Sequence, residues 1–532
     1  MKERKNSRIF ISVGLVIFLG MLFIFSLTAN AKNDNNSINI YKKIKVFNEV
    51  LFKLQENYVQ ELEINDLIDD AIKGMLEETD PHTNYFTADE FKRFSVDTKG
   101  EFGGLGISID KKGDYITVVS PIEGTPAYRM GIQAGDKIVS VDGENIVGIS
   151  TDEAIKKMRG PKGTKVTIGI LRPGVEEELK FDIIRDIIKI KSIPYAFKLH
   201  NGVGYIRIRQ FNANTTEELR EQLDKLETEG IRGLLIDLRY NPGGLLREAI
   251  DTVNEFIGKD KLVVYTKGRI SQANMEYYTK YNRMRSGYPV IVMINEASAS
   301  AAEIFAGSLQ DWDKGLIVGK TSFGKGSVQR LFPLSDGSGI KITTAKYYIK
   351  SGRCIHKDIN DKILKGEKVT EADKEEAEEE HLKDVHYTTK GRVVYGGGGI
   401  NPDIEIEQSK ITNLGVELRR KNEFFNYSVD YLVKHSDKVT PDFKVDDAIV
   451  KDFIDFAKKD SIEFNYAQLD STYDWIKNEI HWNIVSRKFG DLAGYKILIR
   501  EDTQLQEALD IFDKCSSLDE MFEYAEKLNK RN

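Results

Sequence analysis

The sequence predicts an α/β multidomain protein: an α/β core, a β-rich module inserted before it, and helical regions at both ends. Three observations predict this. Between residues 187 and 408, short apolar β runs alternate with helical stretches, the pattern of a sheet covered by helices. Between 98 and 186 the β runs are close together and separated by turn dipeptides. Toward both ends, apolar residues recur at helical spacing. The 532 residues allow three or four domains at about 150 residues each. With 40% apolar and 30% charged residues the composition is globular, which excludes a collagen-like or wholly disordered chain. Lys and Arg number 77 against 84 Asp and Glu, a net charge of −7, so no basic surface recommends a nucleic-acid partner. Two cysteines exclude a disulfide scaffold, a zinc-ribbon array and a cysteine-ligated cluster. Cys354 and Cys515 leave either one disulfide or two free thiols.

Each region follows in order. Lys2, Arg4, Lys5 and Arg8 precede an apolar run from Ile9 to Ala29, long enough to cross a bilayer. Ala29-Asn30-Ala31 fits a small-x-small cleavage site. Residues 1–32 are therefore a signal peptide or an N-terminal membrane anchor, and both place the rest of the chain outside the cytoplasm. Residues 33–97 form a helical N-terminal domain. Val46, Val50, Leu51 and Leu54 share one face, Leu67, Ile68, Ile72 and Met75 another, and Asp80-Pro81 ends the second helix. In 98–186, strands are expected at 106–109, 115–119, 137–141, 165–171 and 179–183, with turns at Asp142-Gly143 and Pro173-Gly174. One helix from Thr151 to Met158 interrupts them, capped by Ser150 or Thr151. In 187–408, strands are expected at 203–208, 233–238, 262–265, 290–294 and 316–318, and helices at 216–229, 245–256 and 300–310. An acidic insertion spans 361–390; its stretch Glu367–Glu380 holds eight acids and two lysines, a solvated charge run without assigned chemistry. Residues 409–532 are helical, as in Leu505–Phe512 and Leu518–Leu528.

Three segments bear on chemistry. The first is Glu101-Phe102-Gly103-Gly104-Leu105-Gly106, whose glycines let backbone N–H groups converge on one point, a setting for a carboxylate. An edge strand beside a helix can accept a peptide as an added strand. The continuation, residues 121 to 143 with Pro126-Ala127 and Gly135-Asp136, resembles a PDZ domain. The resemblance implies a groove for an apolar C-terminal tail, with Gly103, Gly104, Leu105, Gly106 and Ile107 around its carboxylate.

The second segment runs from Asn295 to Ile304. An apolar strand ends, small residues follow, and a helix begins at Ser300. Amides at a helix start face negative charge, so a serine there is placed as a nucleophile beside an oxyanion hole; serine-rich helix starts also serve simply as caps. The third segment is Gly319 to Gln329. As a phosphate-binding loop it fails, because Gly326 stands where a magnesium-binding hydroxyl belongs and no helix follows. As half of a serine–lysine dyad it requires a neutral Lys325. From a reference near 10.4, reaching about 7 takes about 3.4 units, or about 4.6 kcal/mol, which burial can supply. A surface lysine in a glycine-rich hairpin is the competing reading.

Taken together, SASAAEI and FGKGSVQ, with Lys325 following Ser300 by 25 residues, resemble the carboxyl-terminal processing peptidases, the serine–lysine S41 family with an inserted PDZ domain. The resemblance also covers Leu238-Arg239-Tyr240-Asn241-Pro242-Gly243-Gly244, Lys346-Tyr347-Tyr348, Ser351-Gly352-Arg353 and Gly397 to Asp403. It implies a PDZ domain at 98–186 and a protease core at 187–408. It further implies Ser300 as nucleophile, Lys325 as general base and Gln329 orienting the lysine. The N–H groups of Ala301 and of Gly243 or Gly244 would form the oxyanion hole, with Glu303 and Asp311 in supporting roles. No metal or cofactor is expected, and the seven histidines include no H-E-x-x-H. His82 reads as structural. The expected activity is that of an exported serine endopeptidase acting near protein C-termini. Its expected partners are protein or peptide substrates with apolar tails, the membrane through the N-terminal segment, and a second copy in a homodimer. The alternative is a catalytically weak PDZ adaptor of the cell envelope.

Overall fold

The structure is a computed structural model that describes residues 39–464 and 466–530. The predicted signal or anchor segment lies outside these residues. Among the described residues no helix is long and apolar enough to cross a membrane. The chain divides into two compact units, with the boundary between Thr79 and Asp80. In the first unit the described elements are a helix over residues 39–57 and a helix Ile64–Glu77.

The second unit begins with a short strand, Asn84–Phe86, and a helix, Ala88–Lys99, whose start is locked by a capping box between Thr87 and Glu90. The β module follows. Its sheet runs in the order Ile107–Lys112, Tyr115–Pro121, Lys137–Val141, Lys165–Leu171, Leu179–Ile184. The alternation of each strand buries Ile116, Val118, Ile138, Val166, Ile168 and Ile170 against Ala154 of the helix Thr151–Met158. Ser150 caps that helix, in a box with Glu153. Ile107–Lys112 lies at the edge of the sheet, with one side unpaired within it.

The α/β core is a six-stranded sheet: Tyr195–Lys198, Val203–Arg207, Gly233–Asp237, Val290–Ile294, Leu316–Gly319, Ile404–Glu405. All neighbours but the first pair run parallel. Parallel sheets bury both faces, which is why these strands read as unbroken apolar runs. On one face Leu234, Ile236, Val292 and Ile294 meet the helices Thr215–Thr228, Leu246–Ile257 and Ala301–Asp311. On the other face Tyr205, Leu235, Ile291 and Met293 meet Leu505, Leu509, Phe512, Met521 and Phe522 of the last two helices, Thr503–Lys514 and Leu518–Asn529. A second sheet centres on the long strand Gly339–Ile349, paired with Ser327–Pro333, Leu262–Lys267 and Asn84–Phe86. The acidic run forms a surface helix, Glu371–Lys383, capped by Thr370.

The helices between Asn413 and Phe489 enclose a separate core around Phe424, Tyr427, Phe453 and Ile480. This helical body touches the β module. Lys112 Nζ sits 3.0 Å from the centroid of the Phe425 ring, and the Arg487 guanidinium lies 4.1 Å from the same centroid. Both cysteines are free.

Candidate active site

The central strand Val290–Ile294 delivers the chain to a turn stitched from within. Asn295 Oδ1 accepts from Tyr240 N–H at 2.8 Å, and Ser298 Oγ accepts from Asn295 N–H at 2.9 Å while donating to Leu238 O at 2.9 Å. Ser298 is buried and committed to these bonds. Ser300 then adopts φ 55° and ψ −113°, outside the ordinary regions for a non-glycine residue, and the helix Ala301–Asp311 starts behind it. The loop after Asp237 packs on this corner. Ala299 N–H donates to Asn241 O at 2.9 Å, and a Cβ on Gly243 would lie 2.7 Å from Ala299 O and 2.8 Å from Ser300 Cβ. Gly243, at φ 95°, is the residue this approach requires.

Glu303 ties this corner to the lysine loop. Its carboxylate accepts from Ser300 N–H at 2.7 Å, Lys325 N–H at 2.9 Å, Gly324 N–H at 2.6 Å and Ser322 Oγ at 2.6 Å. Four donors fill the four lone-pair positions of an ionised carboxylate. Burial pushes the Glu303 carboxyl up to about 7, while these four bonds pull it down. A second tie is Tyr347, buried, whose hydroxyl lies 2.7 Å from Lys325 O and 3.2 Å from Ser300 O. The lysine loop is tight because residues 355–357 press against it. A Cβ on Gly326 would lie 2.6 Å from His356 N, and one on Gly324 would lie 2.7 Å from Lys357 Cβ. Burial holds the Lys325 amine below the usual lysine range, and Lys341 adds to this; Glu303, Asp80 and Asp361 oppose it. The Ser300 hydroxyl and the Lys325 amine are not hydrogen-bonded to each other in this structure; such bonds often tighten only with substrate bound.

Other residues singled out in the sequence fall differently. The Gln329 amide donates to Ser327 Oγ at 2.9 Å and Thr343 Oγ1 at 3.3 Å, and Thr343 Oγ1 donates to Asp80 Oδ1 at 3.0 Å. The expected bond to Lys325 is thus replaced, because a register shift after Val328 sets Gln329 opposite Thr343. Gly243 N–H donates to Asn241 Oδ1 at 2.8 Å, so it is engaged and unavailable to a ligand. Gly243 O accepts from Phe211 N–H at 2.8 Å, and a trans peptide turns the following N–H, that of Gly244, the opposite way. Asp311 lies at the far end of its helix. It accepts from Arg353 at 2.9 Å and from Ser351 N–H at 2.7 Å, in a fully buried ion pair. In the β module, Gly103 and Gly104 pair with Ile187 and Asp186 in a separate two-stranded ribbon, so the turn into the edge strand narrows to Leu105, Gly106 and Ile107. There Gly106, at φ 79°, packs on Thr125, and Leu105 is buried. The sequence passed over Asp80, His82, Tyr347, His356 and Asp361 as site residues. Their signal lies in long-range packing, which no local pattern carries.

Residues 202–364 match Peptidase family S41, residues 117–172 match a PDZ domain, and residues 416–490 match a family of unknown function. The carboxy-terminal-processing protease of Bartonella bacilliformis is 40% identical over 351 residues, which are 65% of this chain and 78% of that protein. A probable CtpA-like serine protease of Staphylococcus epidermidis is 35% identical over 363 residues, 67% of this chain and 73% of its own. The carboxy-terminal processing protease CtpA of Bacillus subtilis is 35% identical over 316 residues, 59% and 67% of the two chains. With a central sheet delivering a serine corner, a half-buried lysine fastened beside it and a PDZ module ahead of both, the chain belongs to the carboxy-terminal-processing proteases, serine-type peptidases of family S41.

Proposed function

We propose that this peptidase works outside the cytoplasm as an endopeptidase with a Ser300–Lys325 dyad, and that its PDZ module holds the tail of the protein it cuts. The observation that carries the dyad is the shared fastening of both segments. One carboxylate, Glu303, and one hydroxyl, Tyr347, each bind the backbone at residue 300 and at residue 325. Neutral Lys325 takes the proton from Ser300 Oγ as that oxygen bonds to the scissile carbonyl carbon. The N–H groups of Ala301, at the helix start, and of Gly244 face the oxyanion. The lysine ammonium then gives its proton to the leaving nitrogen as the C–N bond breaks. A water molecule attacks the acyl-enzyme, passes a proton to the lysine, and Ser300 leaves with a proton restored. Gln329 holds Thr343, whose hydroxyl in turn binds Asp80. Export is supported by the basic and apolar order of residues 1–32. Tail binding is supported by the unpaired edge of Ile107–Lys112, with its carboxylate at Leu105–Ile107.

The test uses purified Ser300→Ala and Lys325→Ala proteins against a protein substrate. Each is expected to lose at least about a thousandfold in kcat/KM with an unchanged melting temperature or a higher one. Turnover retained in either would remove the dyad, and a chain that binds tails but never cleaves them would be an adaptor.

A further inference from the structure

Titratable groups from four elements surround Lys325. The nucleophile helix brings Glu303, the segment Asp80–Thr83 brings Asp80 and His82, the strand Gly339–Ile349 brings Lys341, and residues 356–361 bring His356 and Asp361. Two of the three carboxylates each accept four bonds from neutral donors. Glu303 accepts the four bonds given above. Asp80 accepts from His82 N–H at 2.8 Å, Thr83 N–H at 3.1 Å, Thr83 Oγ1 at 2.7 Å and Thr343 Oγ1 at 3.0 Å.

Asp361 is different. It lies between two buried imidazoles, with Oδ1 3.3 Å from His82 Nε2 and Oδ2 3.2 Å from His356 Nε2. Gly326 N–H meets His356 Nδ1 at 3.4 Å, so that nitrogen accepts and the Nε2–H of His356 faces Asp361, with Oδ1 of the exposed Asp358 also 3.2 Å from it. His82 Nε2 is at ion-pair distance without the alignment of a hydrogen bond. The helix that carries Asp361, Asp358–Leu364, is bolted to the lysine loop. Lys357 N–H donates to Gly324 O at 2.9 Å, and the Asn360 amide donates to Phe323 O. The first turn of the acidic insertion is therefore a wall of the lysine site.

We propose that Asp361 is a positioning residue for Lys325: its carboxylate supplies the counter-charge for the ammonium that forms as the serine proton arrives, and the two imidazoles fix where that charge sits. This rests on the Ser300–Lys325 dyad. Burial and Lys341 disfavour the ammonium, and Glu303, Asp80 and Asp361 offset them; Asp361 is the one of the three set between imidazoles rather than held by backbone amides and hydroxyls. Lys325 and His82 also draw on the same carboxylate, so the charge of one lowers the proton affinity of the other.

The experiment follows Lys325 directly. Competitive acetylation with acetic anhydride across pH, read by mass spectrometry on the peptide holding Lys325, gives its titration midpoint in full-length Ser300→Ala protein. Adding Asp361→Asn is expected to lower that midpoint by about half a unit or more, and Asp361→Glu to restore it. With Ser300 intact, Asp361→Asn should move the acidic limb of kcat/KM the same way and lower its plateau about tenfold. A folded Asp361→Asn protein with an unmoved midpoint overturns the proposal, even if its activity falls, since that is the mark of a structural role alone. If the variant does not fold, Asp361→Ser is labelled in its place, and there too a lowered midpoint supports the proposal and an unmoved one overturns it. Should Lys325→Ala keep its activity, the dyad fails, while the labelling midpoint still decides whether Asp361 acts on Lys325.

Discussion

Glu303 is the residue on which the geometry of the site depends. Its side chain is fully buried, and only an ionised carboxylate can accept from all four of its donors. Glu303→Gln puts an NH2 where two donors already point. It is expected to destabilise the fold by about 3 kcal/mol or more and to lower kcat at least tenfold, checked by urea unfolding and steady-state kinetics. The raised carboxyl also has a pH signature. In the folded state burial pushes it up to about 7, above the ordinary glutamate value of 4.5. Between those values the folded state holds more of the proton than the unfolded state does. The Glu303 contribution to stability is therefore greatest in acid and falls as pH rises through about 4.5 to 7. On the proposed dyad, activity runs the other way, because both Glu303 and Lys325 must lose protons. Unfolding free energies that fail to decline over this window in wild type relative to Glu303→Gln would contradict this. The strand-to-helix corner at Ser300 and the tight loop at Lys325 were legible in the sequence because their signals are local, small residues before a helix and glycines around a lysine. The bonding of Gln329 was not legible, since a one-residue register shift redirects a side chain. Asp361 and His82 were not legible, being far apart along the chain and brought together only by packing.

At the level of elements, strand alternation and turn dipeptides located the β module almost residue for residue: Lys137–Val141 and Lys165–Leu171 coincide with the expected runs. Glycine placement carried more than the sequence could say. Gly103 and Gly104 look like part of a carboxylate loop, yet their backbone pairs with Asp186 and Ile187. Gly243 and Gly244 look interchangeable, yet one faces Ser300 and the other meets Phe211 O, 2.1 Å from where a Cβ would be. Gly243→Ala is expected to push the Ser300 corner aside. A fall in kcat of about a hundredfold with little change in KM for a small substrate is the outcome to look for, with far-ultraviolet circular dichroism unchanged. Wild-type kcat in this variant would mean the two loops can separate without cost to the chemistry.

Over the whole molecule, the amphipathic helices after residue 410 were readable as helices but not by their destination, because an apolar stripe suits any apolar surface. Two destinations exist. Phe453 belongs to the helical body beside the β module, whereas Leu509 closes the second face of the catalytic sheet. Leu509→Asp is therefore expected to cost about 4 kcal/mol or more and to abolish cleavage even of short peptides. Phe453→Asp should unfold the helical body locally and leave short-peptide cleavage within about threefold of wild type. Melting curves and a short-peptide assay on both variants check this, and equal losses in the two would refute the division.

The pairing of Leu509 and Met521 with strands that begin near residue 203 has a consequence in time. Tyr205 bonds to Tyr495, 290 residues later, at 2.7 Å, and Arg232 reaches Phe512 O at 2.7 Å. The sheet that holds Ser300 thus keeps one apolar face bare until the final helices arrive. During synthesis the chain emerges N-terminus first, so the Ser300 corner is made long before its support exists. The Ser300 corner therefore gains its full support only once residues 503–529 have joined the sheet, and a chain still waiting for them has no assembled site with which to cut its neighbours.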